Sequence, residues 1–297
     1  MTTPDTLRTQ HLVETDWLAE QIAQKNPNLR IVDMRGYVRT QNEPNGYQTA
    51  TYIGAPEEYA ASHIPNALYL DWTTDIVDLQ NPIPAQVATP EQIAKVLGDQ
   101  GIRDESLIVA YDSHSASQFA TRLWWVLRYY GNTNVRVLNG GWKKWTEEGR
   151  PTSVEVPQFA PATFTPCPQP EWRKEAEQVL AEIGDPKISL LDARDEGQYT
   201  GSIRRGAFGG HIPGAKHLPR EAFFTPENTF HSEERLQETI QEAGLTPNKE
   251  VVAYCNGGVA ATSVLFTLSM LGYTHLSNYD GSWNEWGNRE DLPHETV

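Results

Sequence analysis

The chain has 297 residues, enough for roughly two domains of about 150 residues each, and its 38% hydrophobic content supplies two ordinary cores. Its 24 basic and 39 acidic residues give a formal charge of −15, which argues against nucleic acid and anionic membranes as main partners. No apolar run reaches the roughly 18 residues of a membrane span, and Met1–Thr6 lacks the basic end and apolar core of a secretory signal. With only two cysteines, Cys167 and Cys255, and no supporting His cluster, the expectation is a cytoplasmic protein without structural disulfides, metal or cofactor.

Taken in chain order, Trp17–Ile22 reads as helix and Leu29–Met34 as strand. Residues Pro90–Leu97 follow as helix, with Pro90 suited to a first turn. Ser106–Tyr111 is a buried strand, Gln118–Tyr130 a helix closed by Gly131, and Val135–Leu138 another strand. Between residues 151 and 170 the chain carries Pro151, Pro157, Pro161, Pro166, Pro168 and Pro170. Such a stretch cannot be helical and is a poor central strand, so it reads as an extended linker holding an ordinary thiol, Cys167. The alternation then resumes: Lys174–Ile183 helix, Ile188–Asp192 strand, Glu234–Ala243 helix, Glu250–Tyr254 strand, Ala260–Leu271 helix and Leu276–Tyr279 strand. Short strands alternating with helices imply βα units and parallel sheets covered on both faces. The expected fold is α/β, with two tandem domains at 1–150 and 171–297 joined by the linker 151–170.

Three pairs of segments recur in the same order in the two halves. Ile31–Arg35 matches Leu190–Arg194, His63–Ala67 matches His211–Ala215, and Asn139–Trp145 matches Asp280–Trp286. Collinear matches of this kind point to a duplicated domain. Aligning Val109-Ala110-Tyr111 with Val252-Ala253-Tyr254 sets Asp112 opposite Cys255. The first copy therefore has a carboxylate, read as a helix cap or loop closure, where the second has a nucleophile.

Cys255 stands where a strand runs through a glycine-containing loop, Asn256-Gly257-Gly258-Val259-Ala260, into a helix. Ligands bind at the carboxyl ends of strands in parallel sheets. There a thiol meets loop N–H groups and the positive end of a helix dipole, both of which favour the reactive thiolate. Gly257 and Gly258 let the backbone curl so that successive N–H groups form an anion cradle. Arg194, at the end of its own strand, has the planar donor fork to hold a sulfonate or carboxylate. Arg204 and Arg205, on a glycine-rich loop, are weaker candidates.

These motifs together resemble the two-domain rhodanese family, the thiosulfate and 3-mercaptopyruvate sulfurtransferases. The resemblance rests on Asp192/Arg194, the His-Ile-Pro motifs at His63 and His211, the Cys255 loop with Gly258-Val259, and Asp280–Gly287. It covers nearly the whole chain. It implies that the second-domain cysteine carries sulfur as a persulfide in ping-pong fashion, that Arg194 and the loop 256–260 bind the donor, and that the first domain is silent. The sixth residue after Cys255 is Ala261, not the arginine that a cysteine phosphatase of this fold needs.

The subtype is less defined. Thiosulfate enzymes of the family carry basic residues after the cysteine, where this chain has Asn256 and Gly257. Mercaptopyruvate enzymes place a hydroxyl residue where Gly257 stands and use a histidine that His63 matches in type. The missing hydroxyl tilts the reading to thiosulfate as donor and cyanide or a thiol as acceptor, with 3-mercaptopyruvate as the alternative. A non-catalytic rhodanese-type binding module and a relay passing sulfur to a partner protein are the competing classes. A monomer is expected, because the duplication already supplies an internal pseudo-dimer. Trp124, Trp125, Tyr129 and Tyr130 are expected to pack in the core and against the other domain.

Overall fold

The computed structural model describes residues 4–297. The first half builds β1 (Leu12–Val13), β2 (Leu29–Asp33), β3 (Gly36–Asn42), β4 (Gln48–Gly54), β5 (Ala67–Tyr69), β6 (Leu107–Tyr111) and β7 (Val135–Leu138). Five of these form a parallel sheet in the order β1-β7-β6-β2-β5. The second half builds β8 (Arg173–Lys174), β9 (Ile188–Asp192), β10 (Lys216–His217), β11 (Glu250–Tyr254) and β12 (Leu276–Tyr279). Its sheet, also parallel, runs β8-β12-β11-β9-β10, the same winding strand for strand. Register is repeated as well: Asp33 lies opposite Tyr111 and Asp192 opposite Tyr254. The central strands β2, β6, β9 and β11 are almost wholly buried. Their near-continuous apolar character follows from being covered on both faces by helices.

The halves share one core. A single apolar cluster runs from Val32, Leu123 and Trp124 to Leu191, Val264 and Phe266. Its centre is the contact between helix Gln118–Tyr129 and helix Ala261–Met270, the segments that follow β6 and β11. All ten residues of the latter are buried, which accounts for its lack of a polar face. Small hydroxyls let the two helices approach: Thr121 Oγ1 lies 3.0 Å from Thr262 Oγ1 and 3.1 Å from Ser263 Oγ. Trp124 meets Phe266 edge-to-face at 5.1 Å, so the aromatic residues of the first helix pack as expected. One buried ion pair crosses the interface, Arg122 Nη1 to Asp280 Oδ1 at 2.6 Å.

Two features separate the halves. The segment 151–169 is extended, as its prolines require, and lies along the first domain through Ala162 N–H to Gly98 O and Cys167 N–H to Tyr130 O. Cys167 is exposed. The first half also carries an antiparallel hairpin, β3–β4, turning at Glu43–Tyr47, with no counterpart in the second. Its tip reaches across to the other half: Gln48 N–H donates to Arg204 O at 2.7 Å and Arg204 N–H to Gly46 O at 2.8 Å.

Candidate active site

The repeated motifs build a frame that holds the loop ends. In the second half, Arg194 Nε and Nη2 grip Asp192 at 3.0 and 2.6 Å, and Nη2 also donates to Gly210 O. The guanidinium stacks 4.1 Å from the Trp283 ring. In the first half Arg35 does the same with Asp33, Ser62 O and Trp142. Likewise His211 stacks on Tyr199 and meets its carbonyl, while His63 stacks on Tyr59 and meets Tyr59 O. Each His-Ile-Pro motif also pairs its backbone with the chain that follows the last helix of its domain.

Cys255 follows β11 and is 3% exposed. Its carbonyl accepts from Trp283 N–H at 3.0 Å, and Asn256 O accepts from Asn284 N–H at 2.7 Å. Ser282 Oγ is the inner post of the loop, accepting from Cys255 N–H at 3.1 Å and Gly258 N–H at 3.0 Å while donating to Tyr279 O. Gly258 has φ +68°, and a Cβ there would stand 2.6 Å from Asp280 Oδ1. Only glycine allows both the left-handed turn and that close approach. Its carbonyl is held by Arg122 and Asn278. Among the described residues, nothing accepts a hydrogen bond from the N–H groups of Asn256, Gly257, Val259 or Ala260. Helix Ala261–Met270 begins directly behind them. The loop therefore presents free donors and a helix N-terminus beside the sulfur.

A cavity of about 160 Å³ opens over Cys255. Asn256, Gly257, Val259 and Ala260 line it with Asp195, Gln198, Arg205 and Arg220 from the second half. Val38, Thr40, Tyr52, Trp72 and Gln118 close it from the first. The hairpin thus forms one wall of the site. A chain of amides crosses between the halves here: Asn256 Nδ2 donates to Gln198 Oε1, and Gln198 Nε2 to Gln48 Oε1.

The expected site residues do not all meet. Cys255, Arg205 and the loop residues come together, with Gly258 shaping the turn from behind. Arg204 points away, exposed, and engages the hairpin through its backbone. His63 is fully buried outside the cavity, its two ring nitrogens 2.7 Å from Tyr59 O and 3.1 Å from Glu155 O. Neither contact reaches the Cys255 loop. Arg194 requires a correction: it is 1% exposed and does not line the cavity. Burial opposes its charge, but Asp192 outweighs that and holds the guanidinium above its usual pKa. Its Nε and Nη2 are engaged by Asp192 and Gly210 O, which ties it to the frame behind the loop. The sequence signal for this was the matching Asp33/Arg35 pair in the half without a nucleophile. Gln198, Arg220, Tyr52 and Trp72 were missed, being isolated residues on segments far apart in the chain.

Among the described residues, no helix is long and apolar enough to cross a membrane. Among the described residues, no group of three His, Cys, Asp or Glu side chains is placed to hold a metal ion.

The model of the rhodanese-like domain matches this chain twice, over residues 14–148 and 175–289. The chain is 31% identical over 295 residues to the sulfur carrier protein TtuD of Thermus thermophilus, covering 95% of both chains. It is 32% identical to the thiosulfate sulfurtransferase of Mus musculus, over 96% of this chain and 94% of the relative. Among solved structures, SseA of Escherichia coli, a 3-mercaptopyruvate sulfotransferase, superposes with a TM-score of 0.78 at 27% identity, over 92% of this chain and 98% of that one. The duplicated parallel sheets, the repeated motifs and these matches agree, and the chain belongs to the rhodanese family as a two-domain sulfurtransferase.

Proposed function

We propose that the protein transfers sulfane sulfur from thiosulfate to cyanide or a thiol through a persulfide on Cys255. In the first step the Cys255 thiolate attacks the outer sulfur of thiosulfate. A Cys255–S bond forms, the sulfur–sulfur bond of thiosulfate breaks, and sulfite leaves with the electron pair. In the second step the acceptor attacks the outer sulfur of the persulfide, and the Cys255 thiolate is the leaving group. Cyanide then departs as thiocyanate, or a thiolate as its own persulfide, and the enzyme returns to its starting state. The observation that carries this reading is the pairing of a thiol with unengaged N–H donors at one cavity. Those donors face the negative charge that either step places on sulfur.

The donor assignment draws on what lines the cavity. A mercaptopyruvate relay wants a hydroxyl and a histidine beside the sulfur. Ser282 Oγ donates to Tyr279 O, and His63 lies outside the cavity. Two arginines, Arg205 and Arg220, line the same space and suit an anionic donor. Arg205 makes no ion pair among the described residues, so we assign it to donor binding.

The test is the intact mass of the purified protein before thiosulfate, after it, and after subsequent cyanide. A gain of one sulfur atom that cyanide removes is the expected result. A gain with mercaptopyruvate alone would replace the donor. No gain with either would favour a binding module or a relay fed by a protein.

A further inference from the structure

Four arginines about the Cys255 loop and its cavity are not equivalent. Arg122 and Arg194 are 1% exposed and locked onto Asp280 and Asp192, carboxylates that are fully buried. Arg205 is unpaired. Arg220, on the short 3₁₀ turn Arg220–Phe223, falls between these extremes. It lines the cavity with Cys255, and its side chain is 18% exposed. Its ion pairs are to Glu221 at 2.8 Å and Asp195 at 3.9 Å, carboxylates that are themselves 47% and 57% exposed. Pairs with such exposed partners are solvent-screened and contribute little. Its Nε is buried and has no hydrogen-bond partner in the structure. From the first half it faces His114, whose imidazole burial and the Arg220 charge hold down at about 4, so the ring is neutral near pH 7. Of the two cations that line the cavity, Arg205 and Arg220, only Arg220 sits beside carboxylates, and it holds both weakly.

We propose that Arg220 is the specificity-determining anchor for the anionic group of the sulfur donor, and that Asp195 holds it in reserve until the donor displaces that contact. The inference rests on the sulfurtransferase reading of the cavity but concerns a different residue from those the loop supplies. Arg220 brings a positive charge to a cavity whose nucleophile loop, residues 255–260, carries none. A sulfonate in the cavity meets the Arg220 guanidinium, whose planar set of donors suits such an anion better than the single ammonium of a lysine.

The experiment separates anion binding from chemistry. Methanesulfonate, which carries no transferable sulfur, is titrated calorimetrically into the persulfide-free full-length protein and into Arg220→Gln, Arg220→Lys and Asp195→Asn. Arg220→Gln is expected to weaken binding at least about tenfold, with Arg220→Lys between it and the wild type. Asp195→Asn is expected to tighten binding, an effect of opposite sign that a merely structural role for Arg220 would not produce. In steady-state thiosulfate assays Arg220→Gln should raise KM by a similar factor and leave kcat nearly unchanged. Equal methanesulfonate affinity in wild type and Arg220→Gln, or no binding to the wild type, would overturn the inference. Arg220-dependent binding without any sulfur gain from thiosulfate would leave the anion subsite standing and remove thiosulfate as the donor instead.

Discussion

The loops after β6 and β11 occupy the same place in two copies of one fold and treat negative charge in opposite ways. In the first half the chain fills its own anion cradle. Asp112 Oδ1 accepts from His114 N–H at 2.9 Å, and Oδ2 accepts from Phe119 and Ala120 N–H at 2.8 Å each. In the second half the same position is Cys255, and four loop N–H groups remain without acceptors among the described residues. The frames behind them are alike down to the bond from Trp142 N–H to Asp112 O and from Trp283 N–H to Cys255 O. The two loops thus differ in whether the position after the strand holds a carboxylate bonded to the loop N–H groups or a thiol beside N–H groups left open, and the proposed reaction assigns the chemistry to the second. The open cradle is also more heavily braced, by Ser282, by Asp280 and by Arg122 from the other half.

Exchanging the distinguishing residues breaks this contrast in graded steps. The largest effect is expected from Cys255→Ser, which should abolish sulfur transfer in a thiosulfate–cyanide assay while Cys167→Ser retains it. Equal losses in both would remove the distinction between the two thiols. Next comes Asp280→Asn, which gives the second half the neutral residue that Asn139 supplies in the first. It leaves the Arg122 charge buried without its partner, so denaturant unfolding should show a loss of about 3–5 kcal/mol. Near-wild-type stability would mean that the interdomain pair contributes nothing.

Ser282→Gly makes the second loop resemble the first, where Gly141 holds the equivalent place. Ser282 has φ 51° and Gly141 also has φ 51°, so glycine relieves backbone strain as it removes the hydroxyl that holds Cys255 and Gly258 N–H. The two effects oppose each other, and stability should change by less than about 1 kcal/mol. Turnover should nevertheless fall about tenfold, because the loop N–H groups lose their fixed aim. An unchanged kcat would show that Ser282 does not position the loop.

The smallest effect concerns pH. Burial pushes Asp112 up to about 7 from an ordinary 3.8, against the pull of its three N–H partners. Its folded pKa exceeds its unfolded value, so the native state binds the extra proton between these values. The stability it contributes is therefore full at the acid end and falls as pH rises from about 4 to about 7. The difference in unfolding free energy, wild type minus Asp112→Asn, should fall over that range. A flat difference would mean that Asp112 is ionised throughout.

Much of this was legible in the residues. The strands Val135–Leu138, Ile188–Asp192, Glu250–Tyr254 and Leu276–Tyr279 have the bounds their apolar runs imply, because burial on both faces leaves a continuous signal. The cysteine loop could be read because a strand end, a glycine pair and a helix start are local features. The β3–β4 hairpin was not anticipated, although Asn45-Gly46 marks a turn, because its strands are mostly half-exposed and lack a clear apolar alternation. The role of Arg194 was misread for a related reason. A sequence shows that a guanidinium is present, but whether it is buried against its own frame depends on Asp192, Gly210 and Trp283 converging in space. Arg220 and Gln198 reach the cavity only through the same long-range packing.

The most direct measurement is the location of the sulfur after brief thiosulfate exposure. The loaded protein is alkylated, digested and mapped by mass spectrometry. The added sulfur is expected on the peptide containing Cys255, lost on cyanide treatment, with the Cys167 peptide unmodified. Sulfur on Cys167, or on both thiols equally, would contradict the claim that the open cradle after β11 is the place where sulfur is carried.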